Sequence, residues 1–323
     1  MSHNLARIDG RISLAYQGVT PWHALGTTLT AGDNVGLALQ QANLADWALR
    51  PEPLYLADGR VVSSRRAVVR GRDDCILSTV GADYHILPNE DAFAPLQTAL
   101  TKHRMTVEVA GAIGQGERVW MLIKMHQSLD VAPGDAISGY LLCQTSHDES
   151  NAYEASLTAI RVVCQNTLTA ATNAAHAGVF KFRHARSIVE RAADAEQMID
   201  RLCATLAYTG ETFRQLAQRS MTRAEVSAYI DAVFPVPANL PLSQTLADRR
   251  ATVEHLVSHG TGATGDLTAW HAYNAVTEYM DHVRPGLAIK DTAKTAANVS
   301  ALFGGNALIK AAALSAARAL VTA

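Results

Sequence analysis

The densest run of side chains able to do chemistry is Ser146-His147-Asp148-Glu149-Ser150, where an imidazole and two carboxylates follow one another directly. Such residue types could ligate Mg2+ or Zn2+, or serve a hydrolase as base and ligands. Neighbours in a strand point to opposite faces, so a metal triad on one strand is geometrically poor and a solvated hairpin tip is the expected setting. Cys164, within Val163-Cys164-Gln165-Asn166-Thr167, offers a thiol with His147, His176 and His184 as distant partners, yet no neighbouring residue orients a base for it. Arg161 precedes this run, and Gln165 and Asn166 carry paired donors and acceptors that suit a base contact or a helix N-cap equally. These patterns assign no catalytic residue, no metal and no cofactor. Were the chain an enzyme, a metal-dependent hydrolase or nuclease using His147, Asp148 and Glu149 is the form it would take.

Cations gather in two places: Arg60, Arg65, Arg66, Arg70 and Arg72, then Lys181, Arg183, His184 and Arg186. Arg65, Arg66 and Arg70 are spaced closely enough for a stripe of phosphate contacts, and Trp120, Phe180 and Phe182 offer faces on which unpaired bases stack. The competing expectation is a sheet edge blunted by arginine. Twenty-eight Lys plus Arg against 30 Asp plus Glu give a net charge of −2, which excludes a whole-chain field that drives the protein onto nucleic acid or anionic lipid. Any such contact must be local. Gly114-Gln115-Gly116 and Gly304-Gly305 lack the Lys-Ser/Thr of a phosphate loop, so nucleotide binding of that kind is unsupported. His271 and His282 sit about 16 Å apart along a helix and cannot share one metal. Asn274 and Glu278 form an i, i+4 pair that suits helix packing or a subunit contact.

The elements that position these groups divide the chain. Alternating β-branched residues between turn signals predict a mixed α/β region with antiparallel strands over 1–178, and helical periodicity predicts a mostly helical region over 179–323, an α+β protein of two domains. In the first region a strand pair is expected across Gly59 to Arg70 and a strand over Cys75 to Val80. A helix capped by Asn89 follows, and then a hairpin of Thr106 to Gly111 with Arg118 to Lys124. Helices are expected from Arg186 to about Arg219 and over Arg223 to Val233, Gln244 to Ser258, Leu267 to His282 and Thr292 to Leu302, with a last one from Ala307. The Ala-rich tail is apolar enough that a second copy of the chain is its expected cover. Cys75, Cys143, Cys164 and Cys203 form no C-x-x-C pair, and neither a signal peptide nor a membrane span is read, so free thiols in the cytoplasm are expected.

Several separated runs together resemble the phage/plasmid-like proteins of domain-of-unknown-function family 932. They are Pro21 to Gly26, Val80-Gly81-Ala82-Asp83-Tyr84-His85 with Pro88-Asn89-Glu90, Ala110-Gly111 with Gly116 and Trp120, Thr145 to Ser150, Arg161 to Leu168, and Ala272 to Tyr279. The family commonly has Gly after the His-Asp pair where this chain has Glu149, which argues against a tight turn there. The resemblance implies a passenger of mobile genetic elements and supplies no catalytic residue. The order of strands and helix also resembles, at the level of fold alone, the Redβ-like single-strand annealing proteins. The functional expectation is a cytoplasmic, homo-oligomeric protein that binds single-stranded DNA in recombination, annealing or replication through Arg65, Arg66, Arg70, Trp120, Lys181, Phe182 and Arg183. An inhibitor that binds a host defence protein is the alternative. His147, Asp148, Arg161, Gln165 and Asn166 stand as motif residues without a role.

Overall fold

The computed structural model describes residues 5–17, 25–161, 167–169, 179–182, 195–284 and 305–322. Short strands β1 (Arg7–Ile8), β2 (Arg11–Ile12), β3 (Leu14–Tyr16) and β4 (Thr27–Thr28) lead to helix α1 (Val35–Gln41). Strands β5 (Leu49–Tyr55), β6 (Val61–Arg70) and β7 (Cys75–Gly81) form an antiparallel three-stranded sheet in chain order. The stretch from Gly59 to Arg70 thus holds one long strand, where the sequence suggested a strand pair.

Helices α2 (Asn89–Phe93) and α3 (Leu96–His103) come next. Asn89 was expected as the cap of a single helix. Pro95 divides that helix in two, the capping position falls to Pro88, and the Asn89 side chain turns into the protein. Then follow β8 (Thr106–Ile113), β9 (Arg118–Ala132), β10 (Asp135–Ser146), β11 (Tyr153–Arg161), β12 (Thr167–Thr169) and β13 (Val179–Phe182). The large sheet runs β12-β11-β10-β9-β8-β3-β4, with β13 pairing β11. Val119, Met121 and Ile123 of β9 enter one buried cluster while Trp120 and Leu122 enter another, so both faces of this sheet are covered. That explains the continuous apolar run Val119 to Ile123, which an alternating half-exposed strand would lack.

The rest is helical: α4 (Ala195–Gln218), α5 (Arg223–Val233), α6 (Gln244–His259), α7 (Ala269–Glu278) continuing through a π-helical turn at Tyr279–Val283, and α8 (Gly305–Thr322). The helix expected over 292–302 lies outside the described residues. Helix α4 ties the two regions together. Ile199, Leu202 and Leu206 pack into the sheet core, and Phe213 and Leu216 into the helical core. Gly139 permits the first of these, since a Cβ there would stand 2.4 Å from Leu206 Cδ2. The β9–β10 hairpin makes the reciprocal insertion: Val131 and Ile137 join the helical core, and Trp270 Nε1 donates to Asp135 Oδ2 at 2.7 Å. Helix α8 lays Ala313, Leu314 and Ala317 into that core, so the apolar tail is covered, along this face, by its own chain.

Candidate functional site

The three-stranded sheet meets the end of the large sheet at a knot of buried polar side chains. Arg70, the last residue of β6, is 1% exposed. Its Nε and NH2 reach the two carboxylate oxygens of Asp73 at 2.7 and 2.8 Å, NH1 donates to the Gln115 carbonyl at 2.6 Å, and the guanidinium lies 5.0 Å from the Trp47 ring centroid. A bidentate fork on a carboxylate with an aromatic face beneath it is the arrangement for which arginine is suited and lysine is not. The Arg70 hydrogen bonds hold the Asp73 carboxyl below its ordinary range. Gly116, at φ +113°, is packed against this pair, and a Cβ there would meet Arg70 at 2.7 Å and Trp47 at 2.9 Å. The Gly114-Gln115-Gly116 loop therefore serves packing on Arg70 and Trp47.

Trp47 is placed by a strained approach, with Asn43, Asp46 and Ala48 all in the left-handed region. Its indole donates to the Asn43 carbonyl at 3.0 Å, and its ring stands 5.9 Å from that of His147. His147 is fully buried and contacts Asn89 Oδ1 through Nε2 at 3.0 Å. Asn89 Nδ2 already donates to the Leu44 carbonyl, so its oxygen accepts and His147 carries a proton on Nε2. The His147 backbone is also held, its N–H donating to Glu117 O at 2.7 Å and its carbonyl accepting from Ser78 Oγ. Beside it the Tyr84 hydroxyl donates to Ser146 O at 2.6 Å. Burial first, then the nearby Asp148 and Glu149 charges, push its pKa well up, so it stays a donor.

His147 was expected on a solvated tip and is instead an interior residue, because the turn after β10 is folded against β7 and α2. Asp148 and Glu149 diverge from it. Asp148 Oδ1 accepts from Ser150 N, whereas Glu149 accepts from Gly81 N at 2.7 Å and from Arg65 at 3.3 Å. The three side chains do not converge, and among the described residues no group of three or more His, Cys, Asp or Glu could hold a metal. Glu149 does occupy a tight turn, at φ +62°, in the conformation that glycine would take without strain. The two hydrogen bonds its carboxylate accepts offset that cost.

The proposed phosphate stripe is redistributed. Arg70 is a correction to it, since it is buried and its donors are engaged internally. Trp120 is another: it is 2% exposed among Leu14, Val109, Ile113 and Leu142, where no base can stack. Arg65 and Arg66 remain nearer the surface, but Arg65 pairs with Glu149 and also donates to Thr79 O, and Arg66 donates to Tyr84 O. Lys181 and Phe182 lie in β13, with backbone register opposite Glu154 and Tyr153, and Arg161 ends β11. Arg183, Gln165, Asn166 and Cys164 lie outside the described residues.

Sequence reading missed Trp47 and Asp73. The Arg70-x-x-Asp73 spacing at a strand end was the signal for an ion pair, and Trp47 had none beyond its size. The runs carrying the family resemblance were better guides, because the structure brings three of them together. Val80 to Tyr84, Asn89, Gly116 and Ser146 to Glu149 all meet at this knot. No curated protein matches the chain. No solved structure matches it either, so the likeness to single-strand annealing folds has no support. A sequence model of one family does match, over residues 76–303, a span that takes in Tyr84, Asn89, Gly116 and His147 and begins just after Asp73. With more than half of its length matched, the chain belongs to the family described as Domain of unknown function (DUF932).

Proposed function

We propose that the protein acts by binding another protein through the tip of the β5–β6 hairpin, with the polar knot as the joint that fixes the hairpin on the large sheet. The observation that carries this reading is a set of apolar side chains left in water at the tip. Tyr55 and Val61 are cross-strand partners, 62% and 57% exposed, and Leu56 at the turn is 47% exposed. Clustered exposed apolar groups with a charged rim, here Asp58 and Arg60, are the composition of a docking surface. A host protein is the partner that fits the mobile-element setting implied by the resemblance. A photo-crosslinking residue at position 55, used in the native host, is expected to give one discrete adduct. That adduct is lost on Leu56→Ser with Val61→Asp while the melting temperature is unchanged. An adduct of twice the chain mass would identify a second copy as the partner, and an adduct that survives the double substitution would contradict the proposal.

A single-stranded DNA reading is retained in narrower form, on Arg65, Arg66, Lys181, Phe182 and Arg183. It draws support from Arg65, whose side chain is still 46% exposed and so within reach of a phosphate. Against it stands the pairing of the sheet's arginines with acids: Arg50 with Glu52 and Asp74, Arg60 with Asp58, Arg65 with Glu149, Arg70 with Asp73, and Arg72 with Asp9.

A further inference from the structure

At the far end of α3, away from the knot, three side chains line up in an order the sequence does not suggest. Cys203 and Asp200 lie one turn apart on α4, and His103 closes α3. Cys203 Sγ is 3.9 Å from His103 Nδ1, and His103 Nε2 is 2.9 Å from Asp200 Oδ1. The ring N–H points off the line to the carboxylate, so this second approach is electrostatic rather than a formed hydrogen bond. The two imidazole nitrogens face different partners, so His103 cannot gather the thiol and the carboxylate onto one metal. The order thiol, imidazole, carboxylate is that of a nucleophile, its base and an acid whose charge stands beside the base. Lys102, 3.3 Å from the other Asp200 oxygen, adds a positive charge to the cluster. The thiol is half-buried at the rim of the sheet core, while His103 and Asp200 stand at the surface with 21% and 46% of their side chains exposed.

We propose that Cys203 is a reactive thiol, activated by His103 with Asp200 as positioning residue, and that it is oxidised by small hydroperoxides. In the step, the Cys203 S–H proton passes to His103 Nδ1 and the sulfur attacks one peroxide oxygen. The S–O bond forms as the O–O bond breaks, and the leaving hydroxide takes the proton back from His103 and departs as water. Sulfur is oxidised by two electrons to the sulfenic acid and the peroxide is reduced. The base is necessary here, because burial, and then the Asp200 charge, push the thiol pKa up against a smaller opposing effect of Lys102. A thiol that does not ionise by itself reacts only where a neighbour removes its proton. Peroxide suits the geometry, being small enough for a half-buried sulfur and having a leaving group that needs the proton His103 holds.

The other two cysteines among the described residues supply internal controls. Cys75 is half-buried like Cys203 but has Gln115 beside its sulfur and no histidine bonded to it among the described residues, and Cys143 is fully buried with its pKa pushed up to about 12. The test is treatment of the whole chain with hydrogen peroxide, trapping of sulfenic acid with dimedone, and peptide mass spectrometry at each cysteine. Cys203 is expected to label about tenfold or more faster than Cys75, and His103→Gln to remove that advantage while Cys75 labels as before. Asp200→Asn is expected to move the midpoint of the Cys203 pH–rate profile to lower pH, since the Asp200 charge that pushes the thiol pKa up is gone. Equal rates at Cys203 and Cys75, an undiminished rate in His103→Gln, or an unmoved midpoint in Asp200→Asn would each overturn the proposal. Should Cys143 label in His103→Gln, that variant has lost its fold, and the half-exposed Asp200 position decides the matter.

Discussion

Arg70 carries four hydrogen-bonding or stacking relationships in one buried side chain, and its loss would leave Asp73 and the Gln115 carbonyl without their donor beneath Trp47. Breaking such a pair by removing one member costs about 3–5 kcal/mol. Arg70→Ala is therefore expected to lower the urea midpoint by that equivalent, and Arg70→Lys to recover little of it, lacking the planar fork. A loss under about 1 kcal/mol would show that the knot is not a joint. Because Arg70 depresses the Asp73 pKa, the Asp73 contribution is complete above its ordinary value of 3.8 and fades as pH falls through the lower folded value. Arg70→Ala should flatten that part of the acid limb. Glu149 gives a second contrast. Glu149→Ala keeps the left-handed backbone and removes both carboxylate hydrogen bonds, while Glu149→Gly removes the same bonds but relieves the strain. The glycine variant is expected to be more stable than the alanine one by about 1 kcal/mol in the same urea titration.

Among the elements, α5 shows how local chemistry sets a boundary. Thr222 and Glu225 form a reciprocal capping box at its start, and Arg219 pairs with Glu225 at 2.6 Å. Thr222→Ala is expected to cost about 1 kcal/mol by thermal or urea melting. The Thr222 backbone N–H, then Arg219, lower the Glu225 pKa to about 2. Its stabilising share is thus present above its ordinary 4.5 and lost as pH falls from there through about 2. That loss should be absent in Glu225→Gln. This helix was legible, because a cap, an acid three residues on and a periodic apolar face agree over Arg223–Val233. The β8–β9 hairpin was legible for the same kind of reason. The single ten-residue β6 and the extension of β9 and β10 were not, since each depends on tertiary packing that overrides local punctuation, whereas the break between α2 and α3 had its signal in Pro95. His147 illustrates the limit. Its neighbours Ser146, Asp148 and Ser150 read as a wet turn, and only the packing of β7 and α2 makes it an interior residue.

At the scale of the whole molecule, two cores share α4 and exchange the β9–β10 hairpin, so the α+β reading stands while the sheet and the helices are not independent layers. Among the described residues no helix is long and apolar enough to cross a membrane. The arginines of the small sheet bind this sheet to its own acids and to the large sheet, and that is the central claim behind the proposed protein-docking function in place of a phosphate-tracking one. It was hidden from sequence because Glu149 and Arg65 are 84 positions apart, and Gln115 and Arg70 are 45 apart. The most direct measurement is fluorescence anisotropy of labelled single-stranded and duplex oligonucleotides titrated with the protein from low to physiological salt, beside Arg65→Ala with Arg66→Ala. With the arginines engaged internally, the expected result is no salt-dependent binding to either oligonucleotide and no difference between the two proteins. The contradicting result is binding to the single strand with a log–log salt slope that flattens, in the double variant, by roughly one unit for each phosphate no longer neutralised.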